Sequence, residues 1–327
     1  MDKLIRWGII GCGDVTEIKS GPALQKAEGS SLTAVMRRNA ALAEDYAKRH
    51  GVPCWYGQAD QLIADPEVDA VYVATPPSSH KEYALAAAKA GKPVYVEKPM
   101  AMNAAECTAM IEACKAAGVP LYVAFYRRGL PRFRQVKKWL DEGAIGDIRF
   151  VRTVHMAKPL AQTGEEMWRV NPAISGGGLF LDLGSHTLDL LDYLLGPIRD
   201  VSGHASNLGS PYAAEDTVSG EYIFESGVHG TGIWCFNSFA DEEYNEIVGS
   251  KGSIWFSTFE EKPVVLRTAE QEQKLSLAHP PYVQQPLIQT IVDELLGRGK
   301  ALSTGESAIR TSRVAEILTR AYYAGDR

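Results

Sequence analysis

Unbroken apolar runs alternate with amphipathic stretches through the first 125 residues. Leu4 to Ile10 reads as a buried strand, Gly11-Cys12-Gly13 as a tight turn, and the chain to about Lys26 as a helix. The rhythm repeats with a strand over 31–36, a helix over 39–51 with Gly51 just past its end, and a strand over 69–74 stopped by Pro76-Pro77. A helix over 80–91, a strand over 93–99, a helix over 104–118 and a strand over 120–125 follow. Strands that are apolar along their whole length must be covered on both faces, and helices between them make the sheet parallel. The expected fold class is therefore α/β, a doubly wound parallel sheet that takes ligands at the carboxyl ends of its strands.

From residue 126 the pattern changes. After a helix over 133–143 come successive β-like segments at 147–156, 218–224, 227–236, 244–257 and 263–268, and two helices over 284–296 and 307–323 close the chain. Strands in succession predict a large, mostly antiparallel open sheet in an α+β second domain. The expected division is 1–125 and 126–327, with the last helix packing back on the first domain.

Composition narrows the function classes. The chain of 327 residues is 45% hydrophobic and 23% charged, ordinary for a globular protein. Its net charge of −6 provides no basic field for nucleic acid or an anionic membrane. The N-terminal apolar run is too short for a signal peptide, and no run approaches a membrane span. Five cysteines, at 12, 54, 107, 114 and 235, form no Cys-x-x-Cys pair and no zinc spacing. They read as reduced, mostly buried thiols of a cytoplasmic enzyme.

Candidate chemistry begins at the first turn. Gly11-x-Gly13 between strand and helix lets a pyrophosphate approach the helix N-terminus, with Asp14 and Val15 following. The third small residue of such a fingerprint would fall at Thr16, a departure. A 2′-hydroxyl-binding acid is missing after the second strand, where Arg37 and Arg38 stand instead; guanidinium groups suit a 2′-phosphate and favour NADP, with NAD open. Thr75, Pro76 and His80 follow a further strand, and Glu97-Lys98-Pro99 ends another on the same sheet edge, so Thr75, Pro76, His80, Glu97 and Lys98 are expected to bind the cofactor.

The segment 176–196, GGGLFLDLGSHTLDLLDYLLG, is the other candidate. At 3.6 residues per turn, Asp182, Ser185, His186, Asp189, Asp192 and Tyr193 share one arc. That face carries no Lys, Arg, Glu or Gln, so it suits a packed polar site as well as a wet helix surface. Asp-x3-His-x2-Asp lacks a second ligand cluster, and no metal is expected.

The segments GIIGCGD, VDAVYVATPPSSH, GKPVYVEKPMA and GGGLFLDLGSHTLDLLDYLLG, in that order, closely resemble the Gfo/Idh/MocA oxidoreductase family along essentially the whole chain. The resemblance implies an N-terminal Rossmann domain and a C-terminal domain whose sheet serves in oligomerisation, hence a homodimer or homotetramer. It implies hydride transfer between a nicotinamide cofactor and a sugar, keto-sugar or cyclic polyol. Catalytic Lys98, Asp182 and His186 carry over from the motifs, as does a Lys98-Pro99 bond in the cis form. His186 would exchange the proton and Lys98 would polarise the reacting oxygen. Arg128, Trp168 and Arg169 resemble residues near the substrate or nicotinamide. His155 and Tyr282 are open between pocket lining and core. Two other functions on the same fold are a glycoside-cleaving enzyme with retained NAD and no net redox, and a non-catalytic cofactor-sensing regulator.

Overall fold

The computed structural model describes residues 3–160 and 165–324. Two compact units emerge: Met1–Leu130 with Pro280–Ile309, and Pro131–His279 with Arg310–Arg327. A single cut after residue 125 differs from this division by the return of 280–309 to the first unit. The reason is burial. Helix α9 (Gln285–Leu295) contributes Leu287, Ile288, Ile291 and Val292 to the core that contains Trp7, Tyr72 and Tyr95. The start of α10 (Gly305–Ala324) adds Ala308 and Ile309 to the neighbouring core of the same unit.

In the first unit six strands form a parallel sheet among the described residues, in the order β3-β2-β1-β4-β5-β6. These are β1 (Ile5–Ile10), β2 (Ser30–Met36), β3 (Cys54–Tyr56), β4 (Ala70–Val73), β5 (Val94–Val96) and β6 (Leu121–Val123). All four residues of β4 and all three of β5 are buried, as continuous apolar runs require. Helices α1 (Gly21–Lys26), α2 (Ala40–His50), α3 (Ala59–Ala64), α4 (His80–Lys89) and α5 (Ala104–Ala116) connect them. Asn39 opens α2 by accepting the Ala41 N–H, and Gly51 closes it at φ +65°. Strand β3 and helix α3 were not foreseen, being too short to show a period. Strand order reverses between β1 and β4, and this topology opens a crevice at their carboxyl ends.

The second unit holds α6 (Pro131–Asp141), β7 (Ile148–Met156), α7 (Pro172–Ser175), α8 (Ser185–Leu195), β8 (Ile198–Ser206), β9 (Thr217–Phe224), β10 (His229–Cys235), β11 (Glu242–Gly249), β12 (Gly252–Phe256), β13 (Val264–Thr268) and β14 (Glu272–Leu275). Its eight-stranded sheet runs β14-β13-β12-β11-β7-β10-β9-β8. Every pairing is antiparallel except β7 with β10. The expected single segment 244–257 is a hairpin of β11 and β12, broken at the Ser250-Lys251 turn. The unforeseen β8 and β14 are the polar edge strands, whose residues give no clear alternation. None of the described helices is long and apolar enough to cross a membrane.

Candidate active site

The first turn is built for close approach. Gly11 has φ +92°, and a Cβ there would lie 2.7 Å from Thr75 Cγ2 and 3.0 Å from its backbone nitrogen. The N–H groups of Gly11 and Cys12 both donate to Met36 O, at 2.8 and 3.2 Å, which folds the turn over the end of β2. At Gly13, by contrast, an added Cβ would meet nothing nearer than Gly11 O at 4.0 Å. The bare backbone there fits the pyrophosphate of a dinucleotide, which a side chain would keep away. Asp14 is exposed and Val15 half-buried beside it. Thr16, the departure from the fingerprint, is buried and donates through Oγ1 to Gly13 O at 2.7 Å. The helix widens into a π turn over Thr16–Ser20, and Thr16 O accepts both the Gly21 N–H and the Tyr46 hydroxyl, the latter at 2.8 Å. Burial pushes the Cys12 thiol up to about 11, which disfavours its thiolate form. Arg37 and Arg38 stand exposed just beyond β2.

At the ends of β4 and β5 the side chains sort into two kinds. Thr75 and Lys98 are half-buried and Pro76 is exposed. His80 and Glu97 are buried. The His80 ring has its Nε2 2.6 Å from Thr75 O and its Nδ1 3.0 Å from Pro99 O, so both nitrogens are engaged with backbone. Where its strand-edge position suggests a cofactor contact, the ring is seen fastening the two loops together. Burial holds its pKa below the ordinary histidine value. Glu97 likewise turns inward: its Oε1 accepts the Tyr72 hydroxyl at 2.6 Å and Gln284 Nε2 at 2.8 Å. The Lys98-Pro99 bond is cis. Arg128, also buried, donates to Leu302 O at 3.3 Å, and Tyr282 packs against the core of this unit.

In the second unit the glycine-rich segment enters α8 through another π turn, Phe180–Gly184. The 3.6-residue projection therefore holds only from Ser185, and Asp182 belongs to the wider turn. The polar face is packed: Ser185, His186, Asp189 and Asp192 are all buried. Asp192 receives Arg310 in a two-pronged pair, Nε at 2.8 Å and Nη2 at 2.7 Å, which anchors α10. Asp182 faces the Arg169 guanidinium at 3.4 Å, and that group lies over the Trp168 ring at 5.0 Å. His186 meets the edge of Phe259, ring centroids 6.0 Å apart, and Phe259 also packs on His155 at 4.9 Å.

Several supports of this arrangement left no mark in the sequence. Glu215 is buried; its carboxylate accepts the Gly178 N–H at 3.0 Å and the Tyr323 hydroxyl, and burial raises its pKa. Glu243, opposite His155 across the sheet, accepts the Ser257 hydroxyl and the N–H groups of Thr258 and Phe259 at 2.8 and 3.3 Å. It thereby fixes the turn that carries Phe259. An acid in a polar loop or strand end looks the same whether it faces water or a buried turn, so no pattern could have singled these two out.

With the fold and both sets of residues described, the class is an NAD(P)-binding oxidoreductase. The model of an oxidoreductase family with an NAD-binding Rossmann fold matches residues 5–125, and the GFO/IDH/MocA C-terminal domain matches 133–255. The chain belongs to the Gfo/Idh/MocA family and is an NAD(P)-dependent enzyme. It is 39% identical to Oxidoreductase P35 of Formosa agariphila, over 97% of this chain and 99% of that one. It is 32% identical to a 1,5-anhydro-D-fructose reductase of Ensifer adhaerens, over 93% and 92%. Among solved structures, the aldose-aldose oxidoreductase of Caulobacter crescentus superposes with a TM-score of 0.87 at 27% identity, covering 99% of this chain and 98% of the other.

Proposed function

We propose that this protein is an NADP(H)-preferring oxidoreductase that interconverts a hydroxyl and a carbonyl on a sugar, keto-sugar or cyclic polyol. The observation that carries the reading is the buried polar face of α8, where His186 is packed among buried neighbours and half-buried Asp182 stands in the π turn that leads into the helix. Such groups are costly to bury without a task. The reductase and oxidoreductase names of the relatives support a carbohydrate-like substrate.

When bound, the nicotinamide supplies the hydride acceptor or donor. The residues of this chain do the rest. His186 takes the hydroxyl proton during oxidation and returns it to the oxygen during reduction, an exchange that an imidazole nitrogen within reach of the oxygen can make. Lys98 holds and polarises the reacting oxygen with its ammonium charge. Asp182, steadied by Arg169, orients the substrate. Arg128 and Trp168 contribute to substrate binding, and Arg37 and Arg38 take the 2′-phosphate. The outer face of the second sheet holds a second copy of the chain.

Lys98→Ala and His186→Ala are each expected to lose turnover by ~100-fold or more, the range for a general acid–base group, while cofactor affinity stays nearly intact. Steady-state rates with sugars, keto-sugars and cyclic polyols, together with tryptophan-fluorescence titrations of NADPH and NADH, check this. Full activity in either variant removes the mechanism.

A further inference from the structure

Lys98 is a long, flexible side chain at the end of a three-residue strand, yet the backbone on both its flanks is tied down by buried polar groups. On one flank lies Glu97. Its Oε2 accepts the N–H of Lys98 itself at 3.1 Å, while its Oε1 takes the Tyr72 hydroxyl and the Gln284 amide. Gln284 is 1% exposed and is oriented in turn, because Tyr95 donates to its Oε1 at 2.9 Å and leaves its NH2 to face Glu97. Tyr72 and Tyr95 stack at 4.7 Å, so both hydroxyls are delivered by rings that cannot shift independently.

On the other flank stands His80, fully buried. One edge of its ring meets Pro99 O at 3.0 Å and Met100 O at 3.3 Å, and the opposite edge meets Thr75 O at 2.6 Å. The imidazole therefore joins the turn after β5, which carries Lys98, to the turn after β4. That second turn lies against Gly11 of the cofactor edge.

A buried carboxylate and a buried imidazole are poor choices for stability alone, since apolar residues of similar volume pack there at no desolvation cost. Their value is geometric: polar groups held among several buried partners restrict the backbone to few arrangements. We infer that Glu97 and His80 are positioning residues that clamp the Lys98 backbone from its two sides and so fix where the ammonium group is delivered. The inference rests on the reading of Lys98 as a catalytic residue. An error of about 1 Å in placing such a group costs on the order of 100-fold in rate, so the clamp acts on turnover more than on cofactor binding.

The test uses the intact protein with His80→Phe, which keeps a planar ring but no ring nitrogen, Glu97→Gln, and Tyr72→Phe, which removes one hydroxyl. Each is made in the native background and again with Lys98→Ala. Cofactor Kd, KM, kcat and Tm are measured for all. Expected are kcat losses of ~10-fold or more for His80→Phe and Glu97→Gln and about 3-fold for Tyr72→Phe, with cofactor Kd changed by less than ~3-fold. In the Lys98→Ala background the same substitutions should lower the residual rate by less than ~2-fold, because the group they position is gone. Losses that multiply in both backgrounds would mean general structural damage and overturn the clamp. So would unchanged kcat in the native background. Should His80→Phe not fold, Tyr72→Phe decides on the same criteria. Full turnover by Lys98→Ala alone is a separate failure: it removes the lysine assignment and the clamp with it.

Discussion

Arg37 and Arg38 occupy the place where an acid would select NAD, and their exposed guanidinium groups make the cofactor preference testable. NADPH should bind more tightly than NADH. Arg37→Ala and Arg38→Ala should each weaken NADPH by ~10-fold or more, the value of a charge-assisted contact, and leave NADH nearly unchanged. Equal weakening of both, by fluorescence titration, would argue that these arginines never meet a phosphate. Among single residues, positions were legible: Gly11, Gly13 and Lys98 stand on the expected turns at strand ends, and His186 on the expected helix. His80 shows the limit. A histidine after a strand can reach a ligand or fasten a loop, and only its complete burial against three carbonyls distinguishes the two.

Both glycine-marked helices carry a π turn near their start, Thr16–Ser20 and Phe180–Gly184, an irregularity common at functional sites. The first is tied to α2. Glu17 in the π turn receives both outer nitrogens of Arg49 at 2.8 Å and lies 2.7 Å from His50 Nε2. The Arg49 pairing chiefly, and then His50, hold its carboxyl down to about 2 from an ordinary 4.5. A depressed folded-state pKa stabilises fully above 4.5 and loses that stabilisation as pH falls through 2. The gap in Tm between the native protein and Glu17→Gln should thus be present near neutrality and close as pH falls across that window. Partial exposure of both partners keeps it small. A constant gap would show that the ion pair is not its source. At the second π turn, a Cβ on Gly178 would lie 2.5 Å from Glu215 O. Gly178→Ala should therefore cost ~1–3 kcal/mol as backbone shifts to admit it, read as a lower midpoint in thermal or urea unfolding. An unchanged midpoint would show that the Gly178–Glu215 approach is loose.

The eight-stranded sheet of the second unit leaves one face with apolar side chains in register. Tyr244, Val154 and Ile233 stand abreast on β11, β7 and β10, with Phe150 and Ile233 each 41% exposed. Trp255 on β12 is flanked by Arg152 at 5.2 Å and Arg267 at 5.6 Å, and Arg152, paired with Glu246, stands between Phe150 and Val154, so the face mixes apolar and charged side chains. A face of this kind suits a second copy of the chain. Light scattering after size exclusion should find a dimer or tetramer, and Phe150→Glu with Ile233→Glu should shift it towards monomer. A native protein that is monomeric at micromolar concentration would contradict the assignment.

Periodicity and motif together determined most of this protein: the parallel sheet, the succession of antiparallel strands, the cofactor turn and the candidate catalytic residues. These are local properties, since burial on two faces or one imprints itself on neighbouring positions along the chain. The return of residues 280–309 to the first unit, the inward turn of Glu97 and His80, and the supports at Glu215 and Glu243 were decided only in three dimensions. They depend on partners in other elements, the most distant being Gln284, 187 residues from Glu97. Hydrogen bonds across such distances leave no period for a sequence pattern to carry.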